Sequence, residues 1–194
     1  MSQEFAVTFD YLCPFARNAH EAVVHALHDG AELDVRFVPF SLNQVHVEEG
    51  EVPVWDRPTE DRPSGVIALL YGIAMRDAFP EHFLDFHVAA FAQRHDHGKV
   101  FDAGLLDETV ASIGVDPFDV ADEVASGRPA KTLAVEHTEA VERWAVFGVP
   151  TFIQGDEAVF IRLMERGRVD DLDRALGMLE WTRCNEFKRT RIPR

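Results

Sequence analysis

The stretch Phe9-Asp10-Tyr11-Leu12-Cys13-Pro14-Phe15-Ala16 closes one apolar run and opens another of different period. Before it, Phe5 to Leu12 is rich in β-branched and aromatic residues (Val7, Thr8, Phe9, Tyr11), which predicts a strand. After it, Phe15, Ala19, Ala22, Val23, Ala26 and Leu27 recur at three- and four-residue steps, the spacing of a half-buried helix. Asp29-Gly30 supplies the stop. Cys13 therefore falls at the strand-to-helix junction. Pro14 takes the first helical position, where its missing N–H costs nothing.

That placement carries chemistry. The first turn of a helix has unpaired N–H groups and a partial positive charge, and both favour an anion. A cysteine there is expected to be stabilised as thiolate, the form that attacks disulfides and electrophiles. The competing reading is a small buried cysteine that only packs, a common fate of this residue.

The chain has 194 residues, 46% of them apolar, enough for a substantial core. Lys and Arg total 19 against 34 Asp and Glu, a net charge of −15. Such acidity argues against binding a phosphate backbone. No apolar run reaches the length of a bilayer span. Met1 to Phe5 enters the first strand without a basic or apolar leader, so the expected location is the cytoplasm. Cys13 and Cys184 lie far apart in sequence and are expected to be free thiols in a reducing compartment. They supply neither a disulfide framework nor a zinc knuckle.

Residues 31–40 alternate apolar and polar, predicting a second strand, so strand, helix and strand form a βαβ unit with parallel strands. Ser41 to Pro63 reads as a connector holding Pro53, Pro58 and Pro63. Helical periods then run for about eighty residues. Ser64 is the expected cap of the first helix. Pro80 opens a second, Leu105 to Ile113 forms a third, Asp116-Pro117 starts a fourth, and Ala130 to Phe147 carries a fifth. Two short apolar runs, Thr151 to Ile153 and Ala158 to Ile161, flank Gln154-Gly155-Asp156-Glu157 as in a hairpin. Arg168 to Trp181 returns to helical period. A basic tail, Arg183 to Arg194, ends the chain.

This order, with Cys13-Pro14 at the first junction and Gly148-Val149-Pro150-Thr151 before the hairpin, resembles an α/β thioredoxin fold carrying an all-helical insertion. The resemblance is to the DsbA-like family, which also includes kappa-class glutathione transferases and 2-hydroxychromene-2-carboxylate isomerases. Asp10 to Phe15, Ser41-Leu42 and Glu186 to Arg191 are similar to actinobacterial mycothiol-dependent nitroreductase-like members. The resemblance implies a thioredoxin-like domain at 1–63 and 148–194, with the insertion at 64–147. It implies that Cys13 is the nucleophile and that Pro150 is a cis-proline facing the sulfur. Pro14, Phe15, Val149, Pro150 and Thr151 would shape the binding of a thiol or disulfide. No tightly bound cofactor is implied; mycothiol or glutathione would serve as co-substrate. The expected partners are small-molecule thiols or disulfides, without nucleic acid or membrane, and a homodimer is allowed.

One position departs from the family pattern. Dithiol members have Cys-Pro-X-Cys, and here the fourth position is Ala16. The second cysteine normally resolves the mixed disulfide. Three chemistries remain: monothiol exchange resolved by a low-molecular-weight thiol, thiol-cofactor-dependent transfer or isomerisation, and resolution by the distant Cys184. A binding protein without catalysis is the further alternative. His82, His87, His95 and His97 lack a zinc spacing and are read as a solvated helix end and a packing histidine. His20 and His25 are read as exposed, the alternative for His20 being a side chain that faces back and raises the thiolate content of Cys13. Asp10 either points away from Cys13 or caps the loop. Phe15 and Trp55 are candidate groove residues, set against the commoner reading of aromatic residues near a junction as core. Lys188, Arg189 and Arg191 are candidate carboxylate ligands or a solvated tail.

Overall fold

The structure, a computed structural model, describes residues 3–192. Strand β1 (Gln3–Phe9), helix α1 (Pro14–His28) and strand β2 (Leu33–Pro39) form the first unit. The connector holds the short α2 (Leu42–Val45) and a single 3-10 turn, Thr59–Asp61. Five helices follow: α3 (Ser64–Ala78), α4 (Pro80–His95), α5 (Ala103–Ser112), α6 (Pro117–Ala125) and α7 (Arg128–Trp144). Strands β3 (Thr151–Gln154) and β4 (Glu157–Phe160) and helix α8 (Val169–Leu179) complete the described elements. This is a thioredoxin fold with a helical insertion between β2 and β3.

The sheet order is β2-β1-β3-β4. β1 and β2 are parallel, with Val7 opposite Phe37, and β3 runs antiparallel to both β1 and β4. β1 is thus central, and its last residues, Val7, Thr8 and Phe9, are all fully buried. A strand covered on both faces reads as a continuous run rather than an alternating one. Helix α1 packs on β1, α8 and α4, while α7 packs on β2. Phe5, Phe9 and Phe152 of the sheet share one continuous core with Leu69, Phe91, Leu106 and Leu133 of the insertion.

Several boundaries differ from the sequence reading, each for a local reason. β1 stops at Phe9 because Asp10 turns the chain: its carbonyl accepts from Cys13 N at 3.0 Å. Ser64 is the first helical residue rather than the cap. Pro63, extended at φ −57° and ψ 149°, precedes it, and its carbonyl takes the N–H groups of Val66 and Ile67. Helix α7 ends at Trp144, where Ala145 adopts a left-handed φ of 52°. Within the tail, Arg183 to Ile192 forms no helix or strand, and Cys184 alone is partly covered; Pro193 and Arg194 lie outside the described residues.

The insertion bears directly on the Cys13 junction. A Cβ at Gly65 would stand 2.5 Å from Leu12 Cδ1, and one at Gly72 would stand 2.6 Å from Tyr11 Oη. Only glycine lets the α3 backbone approach this closely. The loop that carries the cysteine is therefore wedged between β1 and α3.

Candidate active site

Cys13 is the N-cap of α1, in extended conformation at φ −94° and ψ 117°. Its Sγ accepts from Ala16 N at 3.4 Å, satisfying one of the orphan donors of the first turn. The same sulfur donates to the Val149 carbonyl, also at 3.4 Å. The thiol is only 8% exposed. The Val149–Pro150 peptide bond is cis. Thr151, next in the chain, is buried, donates its N–H to Thr8 Oγ1 at 2.8 Å and its hydroxyl to Gly148 O at 2.8 Å. The strand β1 thus holds the proline loop against the cysteine.

The sequence reading expects a thiol pulled down by the helix N-terminus. The structure corrects that direction. Burial pushes the Cys13 thiol up, and the buried Asp10 carboxylate adds to the rise. The N–H groups of Ala16 and Phe15 and the Arg162 guanidinium pull the other way without winning. The Val149 carbonyl adds a further argument, because it can pair with S–H but not with a thiolate.

Asp10 is fully buried, and its carboxylate caps two segments at once. Oδ1 accepts from Leu12 N at 2.9 Å and Oδ2 from Leu42 N at 2.8 Å. Burial raises its pKa to about 6 against the pull of those two donors. Replacing Asp10 by Asn is expected to move the Cys13 titration to lower pH, read by alkylation rate against pH. Asn keeps one acceptor oxygen, so one N–H loses its partner at a cost of about 1–3 kcal/mol. Removing a buried charge whose pKa stood two units high returns about 3 kcal/mol at neutral pH. Stability near neutrality is therefore expected to change little while the thiol titration moves.

Behind the loop lies a chain of buried polar groups. Tyr11 Oη is 2.9 Å from His87 Nδ1, His87 Nε2 is 2.9 Å from His20 Nδ1, and His20 Nε2 is 3.0 Å from the Thr8 carbonyl. All four residues are fully buried. His95 Nε2, on the last turn of α4, reaches the Tyr11 carbonyl at 3.0 Å. His20 is therefore buried and bonded rather than exposed. Among the described residues, no group of three His, Cys, Asp or Glu side chains is placed to hold a metal.

On the outer side, Phe15 is partly buried and Pro14 exposed. Arg162, just past β4, lies over the rings of Phe15 at 5.4 Å and Phe160 at 5.6 Å. Phe160 in turn packs on Phe147 at 5.0 Å. The structure thus brings Cys13, Phe15, Val149 and Pro150 together, and places Thr151 beneath them. Trp55 packs instead on His137, and the Lys188 to Arg191 tail is exposed. No disulfide joins Cys13 to Cys184, whose thiol contacts the Glu186 carbonyl at 3.8 Å. Sequence reasoning missed Arg162, Thr8 and the His20–His87 pair. No sequence signal marks His20, because the burial of α1 on more than one face is seen only in the folded chain.

Comparison with known proteins agrees with this fold. The sequence model of the DSBA-like thioredoxin domain matches residues 6–177. No curated protein matches the chain by sequence. Among solved structures, Pseudomonas aeruginosa DsbA superposes with a TM-score of 0.61 at 19% identity, covering 94% of this chain and 84% of its own. A 2-hydroxychromene-2-carboxylate isomerase gives 0.62 at 19% identity, covering 93% and 98%. The thiol-disulfide exchange protein alpha-DsbA2 of Wolbachia pipientis gives 0.61 at 17%, covering 91% and 81%. At these identities the likeness is one of fold.

Proposed function

The chain belongs to the DSBA-like thioredoxin-domain family, and from that premise we propose that it is a cytoplasmic thiol–disulfide oxidoreductase working through Cys13 alone. The observation that carries this reading is the sulfur itself. It caps α1 and lies 3.4 Å from the carbonyl that precedes the cis-proline, while Ala16 occupies the position of a local resolving cysteine.

The reaction begins when Cys13 loses its proton to solvent. Its thiolate attacks the sulfur of a low-molecular-weight thiol held in a mixed disulfide with the substrate. The substrate's S–S bond breaks, the substrate leaves as thiolate and is protonated, and Cys13 carries the small thiol as a mixed disulfide. A second molecule of the small thiol, as thiolate, attacks that disulfide and releases Cys13 with a symmetrical small disulfide. The net exchange turns one mixed disulfide and one free small thiol into the substrate thiol and a symmetrical small disulfide, so the electron pair that leaves with the substrate is replaced by the pair that the second small thiolate brings. Ala16 N–H and the first turn of α1 stabilise the sulfur anion at the start and the end of the cycle. Glutathione and mycothiol are the candidate co-substrates.

The test is to mix the Cys184→Ser protein with a mixed disulfide and read the intact mass. Addition of one small-thiol equivalent, mapped to Cys13 and removed by excess small thiol, is expected. A second reading is supported by the raised thiol: a Cys13 that stays protonated donates its S–H to the thiolate of a bound cofactor, as an isomerase or transferase would require. An unmodified Cys13, together with thiol-dependent turnover of a non-disulfide substrate, would favour that reading instead.

A further inference from the structure

Arg162 stands apart from the other arginines of the folded body. Arg17, Arg76, Arg166 and Arg168 sit in ion pairs with carboxylates, and Arg57, Arg62 and Arg94, which have none, donate to backbone carbonyls. Arg162 has no ion pair and no hydrogen bond among the described residues, although the chain carries 34 acidic side chains. It is nevertheless held in place. Its guanidinium lies over Phe15, two residues after the nucleophile, and over Phe160. The next residue back, Ile161, donates its N–H to the Pro150 carbonyl at 3.2 Å. The cation is thereby fixed to the proline loop on one side and to the first turn of α1 on the other, near enough to lower the Cys13 pKa.

A guanidinium stacked on rings keeps its in-plane N–H fork free, and that fork matches a carboxylate. Arg162 is exposed, so its donors are open to a ligand from solvent, while the two rings favour the cation's position beside the cysteine. Phe147, 67% exposed and packed on Phe160, extends the same shelf with an apolar surface. In a chain of net charge −15, an anionic ligand is repelled at long range and needs a local cation to dock.

We propose that Arg162, on the shelf of Phe15 and Phe160, is the recognition site for a carboxylate of the small thiol that reacts at Cys13. The co-substrate class is then a carboxylate-bearing thiol such as glutathione, in preference to an uncharged sugar-linked thiol such as mycothiol. The inference rests on the proposed chemistry at Cys13 for its purpose, but its test reads binding and is independent of turnover.

The experiment measures equilibrium binding by calorimetry, with the Cys184→Ser protein as parent. The ligands are reduced glutathione, its diethyl ester and reduced mycothiol, under non-oxidising conditions. The expected result is about tenfold tighter binding of glutathione than of either thiol that lacks a free carboxylate, lost in Arg162→Gln and largely restored in Arg162→Lys. Salt at 0.5 M is expected to shrink the difference, since the site is open to solvent. An unchanged melting temperature shows that the variants fold. Equal affinity for the ester, tighter binding of mycothiol, a preference that survives Arg162→Gln, or no binding of any of the three each overturns the inference. Mass-detected modification of Cys13 reports separately on the exchange chemistry, so the two readings fail by different observations.

Discussion

Replacing Cys13 by serine is expected to lower disulfide exchange by roughly 10³-fold or more, the scale seen when a covalent nucleophile is removed. A hydroxyl cannot form the mixed disulfide, and no second thiol stands beside it, since Ala16 occupies the fourth position. The loss should not come from misfolding. A serine hydroxyl both donates and accepts, so it can keep the Val149 carbonyl and the Ala16 N–H in place as the thiol does. Cys184→Ser is expected to leave the rate within about twofold, because that residue lies in the tail and its thiol bonds the Glu186 carbonyl rather than any group at Cys13. A Cys13→Ser protein that retained exchange would move the chemistry to another residue. One that lost exchange but kept a thiol-dependent isomerisation would establish the second reading. The wild-type rate is expected to climb with pH, because burial holds the Cys13 thiol above its ordinary value. A rate already flat at neutral pH would contradict that direction.

The parts of the fold that were legible are those whose signals are local. Cys13-Pro14 at a change of period, the Gly155-Asp156 turn and the Asp116-Pro117 start each place an element within a few residues of themselves, and the structure puts them there. The Cys13–Val149 contact was legible only through the family resemblance, since 136 residues separate the two positions. What lay hidden were polar groups whose partners arrive with the insertion. His20 and His87 are 67 residues apart, and nothing in the period of α1 tells a buried histidine with a partner from one in water. Asp10 shows the same limit: its second partner, Leu42 N, comes from beyond β2. The direction of the thiol shift was misread because a helix N-terminus is visible in sequence, while the burial that opposes it is a property of the assembled core.

The buried relay fixes its own proton order and so makes the second large prediction. The Thr8 carbonyl has no hydrogen to give, so His20 Nε2 must donate to it. Neutral His20 then leaves Nδ1 bare to accept from His87 Nε2, and His87 Nδ1 accepts from the Tyr11 hydroxyl. This chain ties β1, α1 and the cysteine loop to α4 of the insertion. His87→Leu strands two buried groups, the Tyr11 hydroxyl and His20 Nδ1, each costing about 1–3 kcal/mol. At about 2–4 °C per kcal/mol for a chain of this size, the melting temperature is expected to fall by roughly 4–24 °C. Tyr11→Phe strands only His87 Nδ1, and in the double variant the losses should be less than additive because they share a contact. Additive losses would mean that the relay does not act as a unit. The pH dependence follows from the same burial. His20 is held down to about 4, as is His137, and His87 is held well below its ordinary value by burial and by His20 beside it. A lowered folded pKa gives stability that is full above the unfolded value near 6.5 and is lost as pH falls toward the folded value. His20 and His137 each account for about 3 kcal/mol over that window. Asp10, raised to about 6, acts in the opposite sense by about 3 kcal/mol between pH 6 and 4. Three histidines outweigh one carboxylate, so denaturant stability is expected to fall steadily below pH 6. A chain equally stable at pH 7 and pH 4.5 would refute the neutral relay.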